Sequence, residues 1–151
     1  MNLKLLDKKE DRISFVINQT DNTFVNTLRR MIIDEVPTMA IEDVEFRKNS
    51  SALYDEAVDH RIGLLPLTTD LKSYNVKEGC KCKGEGCARC SVILTLSVKG
   101  PCTVYASDFK SKDPAVKPVH PKTPIVKLLK GQELELEATA VLGIGKDHSK
   151  F

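Results

Sequence analysis

The stretch at residues 20–37, TDNTFVNTLRRMIIDEVP, predicts the first helix of the chain. Thr20 or Asp21 offers a side-chain oxygen that caps an unpaired amide of the first turn, and Pro37 ends the helix. Apolar side chains recur along one stripe at helical spacing, which is typical of a face that becomes buried. The members of this stripe are Phe24, Val25, Leu28, Met31, Ile32 and Val36.

A doubled arginine, Arg29-Arg30, lies in the middle of the same helix. A solvated helix surface is a sufficient explanation for such a pair. Arginine also forms bidentate pairs with carboxylates and is enriched at protein interfaces, so contact with a partner is the alternative. The residues alone leave both explanations open.

Working outward from the helix, alternating apolar and polar residues predict strands on both sides. The predicted elements are a hairpin over 2–18 with its turn at 7–11, a strand over 38–48 with a bulge between Ile41 and Val44, a second helix over 55–65, and strands over 92–98, 102–105 and 134–140. Four prolines make residues 107–124 an irregular loop. The mixture of elements indicates an α+β fold.

Four cysteines, Cys80, Cys82, Cys87 and Cys90, fall within the run GCKCKGEGCARCS at residues 79–91. The glycines at 79, 84 and 86 permit positive-φ turns that would gather four sulfurs around one point. Tetrahedral zinc accepts four thiolates, so zinc is the favoured ligand. A disulfide or redox pair and an iron–sulfur cluster are the alternatives, and the C-x-C spacing is unusual for a zinc ribbon. The fifth cysteine, Cys102, is expected to be a small buried strand residue.

Composition limits the classes of function. The net charge of +2 gives no case for a nucleic-acid or membrane surface, and the absence of Trp argues against a base-stacking platform. No apolar run is long enough to span a membrane, and the opening residues MNLKLLDKKED form no apolar leader. We therefore expect a cytoplasmic protein, in a reducing compartment where clustered cysteines favour metal binding.

No catalytic constellation is visible in the sequence. His60, His120 and His148 are scattered, and no nucleophile sits beside a base in a known motif. The segment around Gly145-Lys146 is a weak candidate for a phosphate loop, because Asp147 follows the lysine where Ser or Thr is required. We expect no catalytic residues in this chain.

Three motifs carry a family resemblance. NTLRRMIIDEVPTMAI at residues 26–41 and DEAVDHRIGLLPL at 55–67 resemble the two signatures of the alpha-like subunits of DNA-directed RNA polymerase, in particular the archaeal branch designated D. GKDHSKF at residues 145–151 is similar to a stretch near the end of the inserted domain of that family. The motifs follow one another in the family's order over nearly the whole chain.

The resemblance implies a fold and a set of partners. It implies a dimerisation domain beginning at residues 1–38 and a mostly β insertion domain at 39–151 that bears the cysteine loop, 79–91. Phe24, Val25, Leu28, Met31 and Ile32 would then form the interface with the smaller subunit L. The pair would recruit the small subunits N and P and then the second-largest polymerase subunit, B, and Arg29 and Arg30 would dock the large subunit. No sequence-specific DNA contact and no membrane contact are implied.

The chain departs from the family in one respect. Members return to complete the dimerisation domain after the GKDHSKF motif, and many archaeal members also carry an iron–sulfur domain there. Neither segment is present, so we expect a truncated chain whose metal is zinc and which lacks the cluster. The competing hypothesis from another class is a stand-alone small zinc protein with redox or regulatory activity, which would be a monomer with an ordinary polar surface.

Overall fold

The computed structural model describes residues 1–9, 12–83 and 85–151 of the chain. It contains two compact units, Met1–Val36 and Pro37–Phe151. The elements are of both types, as the sequence predicts, and the fold class is α+β. Among the described residues, no helix is both long and apolar enough to cross a bilayer.

The first unit is a hairpin followed by a helix. Strands β1 (Asn2–Lys8) and β2 (Ile13–Asn18) pair antiparallel, with a register shift between Leu5 and Asp7. The predicted hairpin is therefore present, although Glu10 and Asp11 of its predicted turn lie outside the described residues. Helix α1 (Asn22–Asp34) is capped by Asp21, whose Oδ1 accepts the Phe24 amide at 2.7 Å.

The second unit is built on a four-stranded antiparallel sheet. Its elements in chain order are β3 (Thr38–Asn49), α2 (Asp55–Gly63), β4 (Ser91–Lys99), β5 (Cys102–Tyr105), β6 (Lys110–Ser111), β7 (Pro124–Leu128) and β8 (Glu133–Gly143). The sheet order is β3-β8-β4-β6, and β5 and β7 form a separate two-stranded sheet. The last long strand in the sequence therefore lies between two earlier ones.

The side chains of β8 alternate between the two faces of the sheet. Leu134, Leu136 and Ala138 point into the core and are fully buried, whereas the intervening glutamates lie on the opposite face. Arg47 pairs with Glu137 at 3.1 Å on that outer face, so the glutamates of β8 have a basic partner from β3. Leu94 and Leu96 of β4 complete the same buried layer.

Helix α2 closes the core from one side. It lies against β3 and β7, buries Val58 and Ile62, and is tied to β7 by an Arg61 guanidinium that donates to the Ile125 carbonyl at 2.6 Å. The helix ends at Gly63, two residues before the predicted end. A bulge at Ile41/Asp43 matches the break that the sequence predicts in β3, and a second lies between Phe46 and Lys48.

The sequence prediction was incomplete between residues 106 and 128. A single 3₁₀ turn (Ala106–Asp108) and the two-residue strand β6 interrupt the segment predicted to be an irregular loop. Strand β7 was not predicted, because Pro124 precedes only four further residues and no alternation marks them. Cys102 lies in a strand as expected, but it is only half-buried, so the prediction of a buried residue was wrong.

Candidate metal centre and apolar helix face

The four clustered cysteines lie on a loop immediately before β4. A 3₁₀ turn (Lys77–Gly79) leads into Cys80, and Cys90 is the residue before the strand begins. Short backbone bonds fold the loop on itself: the Lys83 amide donates to the Cys80 carbonyl, and the Cys90 and Ser91 amides donate to the Cys87 carbonyl at 2.9 and 3.0 Å.

The loop is anchored to its surroundings at both ends. The Asn75 amide donates to the Arg89 carbonyl at 2.8 Å, which joins the segment before the loop to its final turn. Cys80 and Cys90 are buried, whereas Cys82 and Cys87 are half-exposed. One side of the cluster therefore belongs to the core, and the other faces solvent.

The four sulfur atoms converge. All four Sγ atoms lie within 4.8 Å of one another, and the four cysteines form no disulfide in the described structure. The Cys80–Cys87 and Cys82–Cys90 Sγ separations are both 3.5 Å, and Cys87–Cys90 is 3.7 Å. Four thiolates about 2.3 Å from a tetrahedral zinc ion would be about 3.8 Å apart, so this spacing fits zinc.

Only part of the glycine prediction is correct. Gly86 adopts φ +92°, as the sequence predicts, but Gly79 does not take a positive φ, and Gly84 lies outside the described residues. Lys83 instead adopts φ +53°, a conformation uncommon for a residue with a side chain. No sequence signal indicates this, because lysine carries no preference for the left-handed region.

Two of the four cysteines, Cys80 and Cys90, have raised pKa values and favour the protonated thiol when no metal is bound. Burial, together with hydrogen bonding to neighbouring cysteines, raises the pKa of Cys90 to about 12, although the Cys87 amide that donates to its Sγ at 3.2 Å acts in the opposite direction. At Cys80 a backbone bond from Cys82 lowers the pKa, but bonds with the Cys82 and Cys87 thiols and desolvation raise it overall. A cation is therefore needed to hold these sulfurs as thiolates.

The apolar stripe of α1 is not covered within its own unit. The helix contains no buried residue, and Leu28 is the only member of the stripe that is even half-buried. Phe24 is 45% exposed, and Met31 and Ile32 are each 55% exposed. None of the described residues of the first unit is buried.

The doubled arginine is exposed, and its two members differ in their surroundings. Arg29 donates from Nε and a terminal nitrogen to the Asn26 side-chain oxygen at 3.2 and 3.0 Å. Arg30 lines a shallow cavity of about 260 Å³ together with Met31 and Asp34. Arg30 therefore shares a cavity with both apolar and acidic residues, whereas Arg29 bonds to Asn26.

A second cavity, of about 360 Å³, brings residues of all three sequence motifs together. It is lined by Ile41 and Glu42 of β3 and by residues from 55–67 and 145–151, and its titratable members are Glu42, Asp59, His60, His148 and Lys150. His60 and His148 therefore share a cavity although they are far apart in sequence. This convergence was missed because it depends on β8 pairing with β3, for which local pattern carries no signal.

Contacts at the chain's last residues fix one wall of this cavity. The Lys150 ammonium reaches Glu42 Oε2 at 2.5 Å and lies 5.3 Å from the centroid of the Phe151 ring. The ring packs on Gly143 so closely that a Cβ there would lie 2.5 Å from it. The Asp147 amide bonds to the Ile144 carbonyl in a turn, and no helix follows Lys146 in the described residues, so the phosphate-loop candidate fails.

Comparison with known proteins identifies the family of this chain. The sequence model of one protein family, described as the RNA polymerase Rpb3/RpoA insert domain, matches residues 40–151. The chain therefore belongs to this family. Its relatives include the archaeal DNA-directed RNA polymerase subunit Rpo3. The chain is 46% identical to the one from Methanosphaera stadtmanae over 100% of this chain and 57% of that protein.

Two other Rpo3 subunits show similar coverage. The chain is 46% identical to the one from Pyrococcus furiosus over 99% of this chain and 55% of that protein. It is 40% identical to the one from Archaeoglobus fulgidus over 99% of this chain and 56% of that protein. The chain thus spans a little over half the length of the curated relatives it matches.

The metal assignment gives a direct test with a matched control. We expect the purified chain to bind one zinc ion and Cys90→Ser to lose it, because only three thiolates remain and one of the two buried ligands is gone. Cys102→Ser removes a thiol outside the cluster and should retain full occupancy. The measurement is the amount of protein-bound zinc in anaerobically purified wild-type chain, Cys90→Ser and Cys102→Ser. Equal zinc content in all three proteins would contradict the proposed site.

Metal affinity should weaken as the pH falls. The raised pKa values mean that Cys80 and Cys90 hold protons in the metal-free chain at neutral pH, so the metal must displace them. Each proton displaced weakens apparent affinity roughly tenfold per pH unit of acidification. Zinc competition titrations at pH 6 and pH 8 measure this change, and equal affinity at the two values would refute it.

Proposed function

We propose that this chain forms the dimerisation face and insertion domain of a non-catalytic assembly subunit of an archaeal-type DNA-directed RNA polymerase. Its partner is the smaller alpha-like subunit L. The observation that carries the proposal is the uncovered stripe of α1, on a unit with no buried residue among those described. The family of the insert domain and the names of the relatives supply the polymerase setting.

The apolar face has the properties of a permanent interface. Large apolar side chains are exposed on β1, β2 and α1: Leu3, Leu5, Leu6, Ile13, Phe15, Val16, Phe24, Val25, Met31, Ile32 and Ile33. A unit of only 36 residues is too small to be stable without a further layer. Obligate interfaces bury on the order of 2,000 Å² or more and are more apolar than transient ones.

The two units take different parts in this proposal. The dimerisation segment, residues 1–38, contains the first unit (Met1–Val36) and pairs with subunit L through Phe24, Val25, Leu28, Met31 and Ile32. The insertion domain, residues 39–151, makes up nearly all of the second unit. It has its own core, so it folds around β8 without a partner.

Assembly then continues from the dimer. The small subunits N and P bind after the pair forms, the second-largest subunit, B, follows, and Arg29 and Arg30 are the docking residues for the large subunit. The Arg30 cavity beside Asp34 and Met31 offers a mixed apolar and charged surface that suits such a contact. The catalytic groups of the polymerase belong to another subunit, and the cytoplasm is the compartment where this assembly operates.

The cysteine loop has a structural role in this proposal. Cys80, Cys82, Cys87 and Cys90 would hold zinc and fix the loop in front of β4. Zinc is preferred because four thiolates in a closed, half-buried site resemble structural zinc centres. A stand-alone zinc protein would need no partner for α1, and the exposed stripe disfavours it.

Leu28→Asp tests the pairing. Leu28 lies at the centre of the stripe, so a carboxylate there places an unpaired charge in a desolvated seam and should abolish co-purification with subunit L. Asn26→Asp adds the same charge at a position outside the stripe and should leave pairing intact. Pull-down after co-expression with an archaeal subunit L is the measurement.

Two outcomes would contradict the proposed pairing. If Leu28→Asp pairs with wild-type affinity, the interface is on a different face. If the wild-type chain is a well-behaved monomer that ignores subunit L, the stand-alone zinc protein is the better account. Circular dichroism of both variants checks that α1 is still helical.

A further inference from the structure

The four cysteines of the loop differ in their access to solvent. Cys80 and Cys90 are buried, whereas Cys82 and Cys87 are half-exposed. The susceptibility of a cysteine to oxidation follows its exposure and its thiolate character. Cys82 and Cys87 are therefore the members of the cluster that an oxidant in solution reaches first.

Cys87 also lines a cavity at the surface of the second unit. The volume of this cavity is about 510 Å³, and its lining includes Cys87 and Ala88 of the loop, residues 91–93, and Lys112. Of the four clustered cysteines, Cys87 is the one that contributes to the described lining. A peroxide molecule is far smaller than this cavity, so Cys87 has a route of approach that the buried cysteines lack.

Each half-exposed cysteine has a buried cysteine close to it. The Cys80–Cys87 and Cys82–Cys90 Sγ separations are both 3.5 Å, and these two contacts use every cysteine once. The Cys87–Cys90 contact is longer, at 3.7 Å, and would leave Cys80 and Cys82 as the other pair, with a single residue between them. The separations therefore favour Cys80 as the partner of an oxidised Cys87.

Metal ligation would keep the exposed sulfur reactive. The thiolate is the nucleophilic form of cysteine, and ligands of a metal are held in that form. Oxidation-sensing cysteines are solvent-accessible thiolates that lie next to a second cysteine able to resolve them. As a half-exposed member of the metal cluster with a buried neighbour at 3.5 Å, Cys87 has all three properties.

We infer that Cys87 is an oxidation site for peroxides, and that its oxidation joins it to Cys80 and releases the metal. The inference rests on the zinc site of the proposed function, whereas the access to Cys87 and the sulfur separations do not depend on it. It adds a chemical reactivity to a loop whose proposed role is otherwise structural.

The reaction proceeds in two displacements. The Cys87 thiolate attacks one oxygen of hydrogen peroxide, the O–O bond breaks, hydroxide leaves, and Cys87 becomes a sulfenic acid. The Cys80 thiolate then attacks the Cys87 sulfur, the S–S bond forms, the S–O bond breaks, and a second hydroxide leaves. The two sulfurs give up two electrons in all, and solvent protons convert both hydroxides to water.

Loss of two ligands would open the metal site. Cys82 and Cys90 alone do not complete a four-thiolate site, so the loop releases zinc and the two remaining sulfurs take up protons. The new disulfide still links the two halves of the loop, because Cys80 and Cys87 lie on opposite sides of residues 81–86. In a reducing compartment such a disulfide is transient, so thiol reductant and zinc restore the starting state.

The test uses the full chain loaded with zinc and treated with increasing amounts of hydrogen peroxide. A chromogenic chelator reports zinc release, and differential alkylation followed by mass spectrometry identifies the disulfide that forms first. Ala88→Leu narrows the cavity beside Cys87 and leaves all four ligands in place. Ala52→Leu is the matched control, because Ala52 is also exposed and contributes nothing to the described lining of that cavity.

We expect zinc release at about one peroxide per chain, with Cys80–Cys87 as the first disulfide and recovery on addition of dithiothreitol and zinc. Ala88→Leu should carry as much zinc as wild type and release it about fivefold or more slowly, because oxidation depends on access to the sulfur. Ala52→Leu should release zinc within about twofold of the wild-type rate.

Three results would overturn the inference while the zinc site stands. They are zinc retention at about tenfold excess of peroxide, equal release rates in Ala88→Leu and Ala52→Leu, and a first disulfide between Cys87 and Cys90. A purified chain without zinc would overturn the metal site and the inference together. Co-purification of the reduced, zinc-loaded chain with subunit L tests the proposed pairing separately, since that result does not depend on peroxide.

Discussion

The first 36 residues expose large apolar side chains that nothing in their own unit covers, and the proposed pairing depends on this constraint. Two strands and one helix enclose no interior of their own, and no described side chain among them is shielded from solvent. Burying apolar surface contributes about 25 cal/mol per Å², so leaving a stripe of Phe, Leu, Met and Ile exposed forgoes several kcal/mol. In the account proposed above, a second polypeptide supplies the missing layer.

The second unit has the opposite character. Its core is continuous from α2 through the sheet to β5 and β7, and β8 holds it together by pairing with β3 on one side and β4 on the other. The cysteine loop adds a local constraint in front of β4, because a bound metal would join residues on both sides of an otherwise irregular segment. The second unit thus has a core of its own, and in the proposed account the first gains its missing layer by association.

The sequence predicts the elements that have a local signature. Asp21 as a cap, the alternation of Leu94 and Leu96, and the convergence of Cys80 with Cys90 all follow from patterns within a few residues. The cysteines were predictable because the chemistry of four thiolates leaves few arrangements. The exposed stripe of α1 was visible as a stripe, although the residues alone could not say what covers it.

What the sequence did not predict depends on contacts between distant segments. Strand β7 exists because β5 offers it an edge, and five residues starting at Pro124 show no periodicity of their own. The Lys150–Glu42 pair and the packing of Phe151 on Gly143 require β8 to lie beside β3.

Amide hydrogen exchange across α1 tests the central claim most directly. It compares the chain alone with the chain bound to subunit L and uses the amides of β4 and β8 as internal references. The account predicts that α1 amides exchange rapidly in the chain alone and slow by about a hundredfold or more in the complex, while the references are unchanged. Strong protection of α1 in the chain alone, with no further change in the complex, would contradict it.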